Sequence, residues 1–122
     1  MSNLVVSNIS DGTTSVGTGY VVNGSAKAWV NFTGTGTVAI DDSLNTSSIT
    51  DNSTGRYEAN LTNNFANANY CLTHDGLING GNGWFISYFD KTSANVELLY
   101  INTLGSYEDC ADASVVYFGD LA

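Results

Sequence analysis

The chain has 122 residues, 43% hydrophobic and 11% aromatic, which suits one folded domain with a single core and excludes a disordered chain. Twelve acidic residues stand against three basic ones, Lys27, Arg56 and Lys91. The resulting formal charge of −9 opposes phosphate backbones and anionic headgroups, so nucleic acid and membrane are poor partners.

The N-terminus, MSNLVVSNISDG, lacks the basic region and apolar core of a signal peptide, and no run approaches the ~20 apolar residues that span a bilayer. The expectation is a protein made and folded in a cytoplasm. Residues 1–24 differ from the rest: Leu4, Val5, Val6 and Ile9 precede DGTTSVGTG, a flexible Gly/Thr tract with little to pack. Asn3 to Ile9 reads as a peptide that orders by adding to a sheet edge of another subunit, or else as a first strand of the same domain.

No window of the chain keeps apolar residues at helical spacing, while β-branched and aromatic residues gather in short runs parted by Gly, Asn, Asp and Ser. The predicted strands are Ala26 to Phe32, Thr37 to Ile40, Asn45 to Ile49, Arg56 to Leu61, Ala68 to Thr73, Trp84 to Phe89, Val96 to Ile101 and Ser114 to Gly119. In Arg56 to Leu61 the alternation is clean, with Tyr57, Ala59 and Leu61 on one face and Arg56, Glu58 and Asn60 on the other. Residues Asp51 to Gly55 suit a hairpin loop, because Asn and Gly accept positive φ. The fold class is all-β, an antiparallel β-sandwich or jelly-roll-like barrel with an extended N-terminal segment.

Few residues suggest chemistry. His74 is the only histidine, and no G-x-S-x-G elbow accompanies it. Twelve acids offer many carboxylate pairs, but spacing along a chain cannot select a pair for glycoside hydrolysis, and a depolymerase needs a larger scaffold. Gly17-Thr18-Gly19 and Gly34-Thr35-Gly36 read as turns and not as a phosphate cradle. The acidic groups Asp41-Asp42 and Glu108-Asp109 with Asp112 read as solvated loops without an EF-hand spacing. No enzyme, cofactor or metal site is expected. Cys71 and Cys110 are either free thiols, as a cytoplasmic origin argues, or a disulfide formed after release into oxidising surroundings.

The loop His74 to Trp84, HDGLINGGNGW, carries glycines that let a backbone approach a ligand and an indole on which a saccharide can stack. Asp75, Asn79, Asn82, Trp84 and Tyr107 are its candidate ligand-binding residues; in the alternative Trp84 is a core residue opening a strand.

The stretch Ala26 to Thr73, with AKAWVNF, then GTGTV, then SSITDN, then ANY, resembles a domain of short fibre and spike proteins in marine and cyanobacterial tailed bacteriophages. MSNLVVSNISDG and VVYFGD at Val115 to Asp120 resemble the start and the final strand of that family. The resemblance implies a trimeric β knob over residues 25–122, attached to capsid or tail proteins of the virion through residues 1–24, with an exposed face for a host-surface glycan. A trimer would hide open sheet edges and apolar faces, and Trp29, Val30 and Phe32 are candidates for the subunit seam or, equally, for the monomer core. The implied role is a structural virion protein, assembled in the host cytoplasm, for host attachment. Its rival is a capsid decoration protein that cements the head and binds no receptor.

Overall fold

In the computed structural model the described residues are 1–77 and 85–122, together with the backbone of Trp84. Among the described residues the fold is all-β apart from one short helix. Residues 8–24 hold a small appendage: β1 (Asn8–Ser10) pairs antiparallel with β2 (Ser15–Gly17), and α1 (Thr18–Gly24) follows directly. The expected flexible tract is thus partly ordered. The Asp11 carboxylate accepts from the backbone amides of Thr13 (2.9 Å) and Thr14 (2.7 Å), and Gly12 takes the left-handed φ of 95° that closes the turn. No residue of the appendage is buried.

The body consists of β3 (Ala28–Thr33), β4 (Ala39–Leu44), β5 (Thr46–Ser53), β6 (Arg56–Leu61), β7 (Cys71–Leu77), β8 (Trp84–Lys91), β9 (Asn95–Asn102) and β10 (Asp112–Phe118). They form two four-stranded antiparallel sheets, ordered β4-β3-β10-β7 and β5-β6-β9-β8. Alternation places Ala28, Val30 and Phe32 of β3 inward, joined by Ala113, Val115 and Tyr117 of β10. From the other sheet come Tyr57, Ala59 and Leu61 of β6 with Val96, Leu98 and Tyr100 of β9, all in the same buried cluster. Edge-to-face ring contacts run from Phe32 through Tyr57 to Tyr100, at centroid separations of 5.3 and 5.8 Å.

Each predicted strand has a counterpart, and Arg56–Leu61 coincides with β6. The largest displacement is in β7, which runs to Leu77 and so takes in His74, Asp75 and Gly76, expected in a loop. Its inward positions after Leu72 are His74 and Gly76, whose polarity and small size hide the alternation. Gly76 is small because an added Cβ would lie 2.5 Å from the Cys110 sulfur. The chain passes between the sheets at Asn45, a single residue separating β4 from β5 with φ of 55°.

Strand directions give the body two distinct ends. The appendage, the Asn45 corner, residues 62–70 and the C-terminal residues gather at one end, where Lys27 N donates to Tyr117 O, Ala66 N to Asp120 O and Ala122 N to Asn64 O. The connections 34–38, 54–55 and 103–111 gather at the other, where Gly34 N donates to Cys110 O and Glu108 N to Tyr100 O.

Candidate functional site

The four residues expected to dock the chain, Leu4, Val5, Val6 and Ile9, are exposed, with Leu4 and Val5 at 85% and 90%. Val16, Tyr20, Val21 and Val22 of the appendage are exposed as well. With Met1, the first 24 residues thus carry nine large apolar side chains that the body does not cover, whereas solitary exposed apolar residues need no explanation.

The three seam candidates divide, two of them taking the core reading. Val30 and Phe32 are fully buried in the core, and only Trp29 faces outward, because adjacent strand residues point to opposite faces. The alternation was present in AWVNF: Ala28, Val30 and Phe32 share one parity, Trp29 and Asn31 the other.

The disulfide is also excluded. Both cysteines are free, Cys71 exposed and Cys110 buried. Cys71 pairs with Phe118 at the start of β7, while the Cys110 sulfur lies 3.4 Å from the carbonyl oxygen of Leu77 at its end. Six residue steps of extended chain separate these points by ~20 Å, against a Cα separation of under ~7 Å that a disulfide requires. Burial pushes the Cys110 thiol up to about 11.

Of the expected saccharide residues, Asn79 and Asn82 lie outside the described residues, as does the side chain of Trp84, whose backbone opens β8 opposite Asn102. Tyr107 is exposed and bridges Ile101 in the loop after β9. Asp75 is in β7, not in a loop, with its side chain on the outer face of the first sheet. Of the five, only Asp75 and Tyr107 have described side chains, one on β7 and the other in the connection after β9.

A different group does come together on that outer face. Cross-strand register puts Trp29 beside Val116 and Val116 beside Thr73, and in the next row Asn31 beside Ser114 and Ser114 beside Asp75. These six side chains border a hollow of about 250 Å³, and Asp75 and Ser114 continue into a second of about 150 Å³ towards Leu77 and Asp112. The Asn31 amide is held by donation from Nδ2 to Asp112 Oδ1 (2.5 Å) and Ser114 Oγ (3.1 Å). One Asp75 oxygen accepts from Gly76 N at 2.7 Å. Asn31, Ser114 and Val116 were not anticipated; the signal available was their position on the parity opposite to the core.

The three cations are all used internally. Arg56 pairs with Glu97 at 2.7 Å and lies over the Phe89 ring; Lys91 donates to Tyr70 O at 2.7 Å; Lys27 donates to Ser25 and to Val22 O. His74 points inward, edge-on to Tyr100, with Nδ1 buried and lacking a hydrogen-bond partner. Burial lowers its pKa to about 4, partly opposed by the Asp75 charge. Among the described residues no group of three or more His, Cys, Asp or Glu side chains is placed to hold a metal ion.

Compared with protein-family models, with curated proteins and with solved structures, the chain matches none.

Proposed function

We propose that the chain is a structural protein of a bacteriophage virion, a short fibre or spike that docks through its first 24 residues and presents a β-sandwich knob to the host surface. The observation that carries the reading is the concentration of uncovered apolar side chains in residues 1–24, at the end of the body opposite the loops 34–38, 54–55 and 103–111. A molecule whose uncovered apolar side chains concentrate at one pole suits attachment there and presentation at the other. The likeness of Ala26 to Thr73 to phage fibre domains supports the same reading, and the acidic, cation-poor surface argues against a nucleic-acid or anionic-membrane role.

The reading includes three copies about an axis. With Val30 and Phe32 in the core, the seam passes to the edge strand β8, where Phe85 and Phe89 are 65% and 66% exposed. Covering an apolar edge strand removes both its uncovered side chains and its unpaired backbone groups.

The test is deletion of residues 1–9 in a phage producing this chain. Particles should then lack the protein while the isolated knob keeps its cooperative unfolding. Normal incorporation of the shortened chain defeats the docking role. Particles without the chain that lose heat or osmotic resistance yet adsorb normally favour the cement role; the reverse favours adhesion.

A further inference from the structure

We propose that the outer face of the sheet β4-β3-β10-β7, centred on Trp29, is a binding site for a neutral saccharide. This rests on the adhesive reading above and replaces the His74 to Trp84 loop as the contact surface. Trp29 and Val116 supply an adjacent apolar floor, and no other ring packs on Trp29 among the described residues. The C–H face of a pyranose stacks on such an indole, while its hydroxyls need polar partners at the rim. Those partners are present in one row: Asn31, Ser114 and Asp75, with Thr73 beside Val116.

The rim also selects the class of sugar. Its charges are carboxylates, with Asp42 opposite Asn31, Asp112 bonded to it and Asp75 across the hollow. Lys27, at the approach to β3, is committed to Ser25 and Val22. Carboxylates accept hydrogen bonds from sugar hydroxyls but repel uronate, sialate, sulfate and phosphate groups. The two adjoining hollows, sharing Asp75 and Ser114, offer room along the sheet for more than one ring. Holding the Asn31 amide through Asp112 and Ser114 before any ligand arrives lowers the ordering cost on binding.

The full-length chain should be titrated calorimetrically with neutral hexasaccharides of glucose, mannose, galactose and N-acetylglucosamine, and with a heparin hexasaccharide as the acidic probe. At least one neutral probe should bind, and the acidic one should not. Trp29→Ala should weaken that binding by about tenfold or more, and Asp75→Ala by about three- to tenfold. Glu58→Gln, on the outer face of the other sheet, should leave it unchanged. Both site positions lie outside the core, and the urea midpoint of each variant checks folding. The proposal is overturned if no neutral probe binds, if folded Trp29→Ala and Asp75→Ala bind as the parent does, or if the acidic probe binds best. Failure here with normal dependence of particle incorporation on residues 1–9 removes the saccharide site and leaves the virion role standing.

Discussion

The hydroxyl of Tyr57 and the carboxylate of Asp109 meet at 3.0 Å at the loop end of the body, and the same carboxylate oxygen accepts from Gly55 N at 2.8 Å. The Tyr57 oxygen also lies 2.8 Å from Gly34 O and accepts from Cys110 N at 3.2 Å. The phenol thus joins two connections and Asp109 ties in the third at Gly55, and desolvation with the nearby Asp109 charge raises the Tyr57 pKa far above the usual tyrosine value. Tyr57→Phe keeps the ring but strands the Cys110 amide, a loss of about 1–3 kcal/mol. A fall in Tm of about 3–10 °C is expected, and a calorimetric scan showing no fall refutes the account.

The Asn45 corner makes a second prediction. Its side chain donates to Lys27 O (3.2 Å) and Asn63 O (3.1 Å) and accepts from Asn63 N (2.7 Å), all while the backbone holds φ of 55°. Asn45→Ala loses the bonds and strains the backbone, so about 2–3 kcal/mol should disappear; Asn45→Gly loses only the bonds and should cost about 1 kcal/mol less. Urea unfolding of the two variants distinguishes them, and equal midpoints would mean that the left-handed backbone contributes nothing.

His74 should make the protein acid-sensitive above the range where most carboxylates protonate. Its folded pKa of about 4 lies below the ordinary 6.5, so between these values the unfolded chain binds the proton more readily. The contribution of the neutral ring is complete above pH ~6.5 and is lost as pH falls towards ~4. Because the side chain is only partly buried, the loss is about 1–2 kcal/mol after screening. Comparing urea midpoints at pH 7 and 4.5, His74→Leu should shrink the difference; an undiminished difference assigns the sensitivity to other groups.

The two thiols should react differently. A maleimide should label Cys71 in the native protein, while Cys110, buried and with its pKa raised by desolvation, should label only after unfolding. Oxidation should leave the monomer without an internal bridge, so non-reducing electrophoresis of the monomer band should show no compaction.

The legible part of the fold was the part written in alternation. Tyr57, Ala59 and Leu61 declared their face at once because β6 is central, with a wet outer side of Arg56, Glu58 and Asn60. In β7 the same period was carried by Leu72, His74 and Gly76, and a histidine facing the core does not look like a core residue. The Trp29 face was legible in principle, since Trp29 cannot share a surface with Val30, yet its partners Ser114 and Asp75 lie far away in sequence. Only the placement of β10 between β3 and β7 brings them beside Asn31. The hairpin at Asn8 to Gly17 was hidden for another reason: it rests on Asp11 and Gly12, not on any buried residue.

The shared end of the two termini bears on how the protein can be tagged. A fluorescent or affinity fusion at Ala122 would crowd the side from which residues 1–24 emerge, since Ala122 is hydrogen-bonded to Asn64 there. An insertion at Thr103 to Ser106, an exposed turn at the opposite end, would instead project away from it and leave both pairing partners of β9 in place.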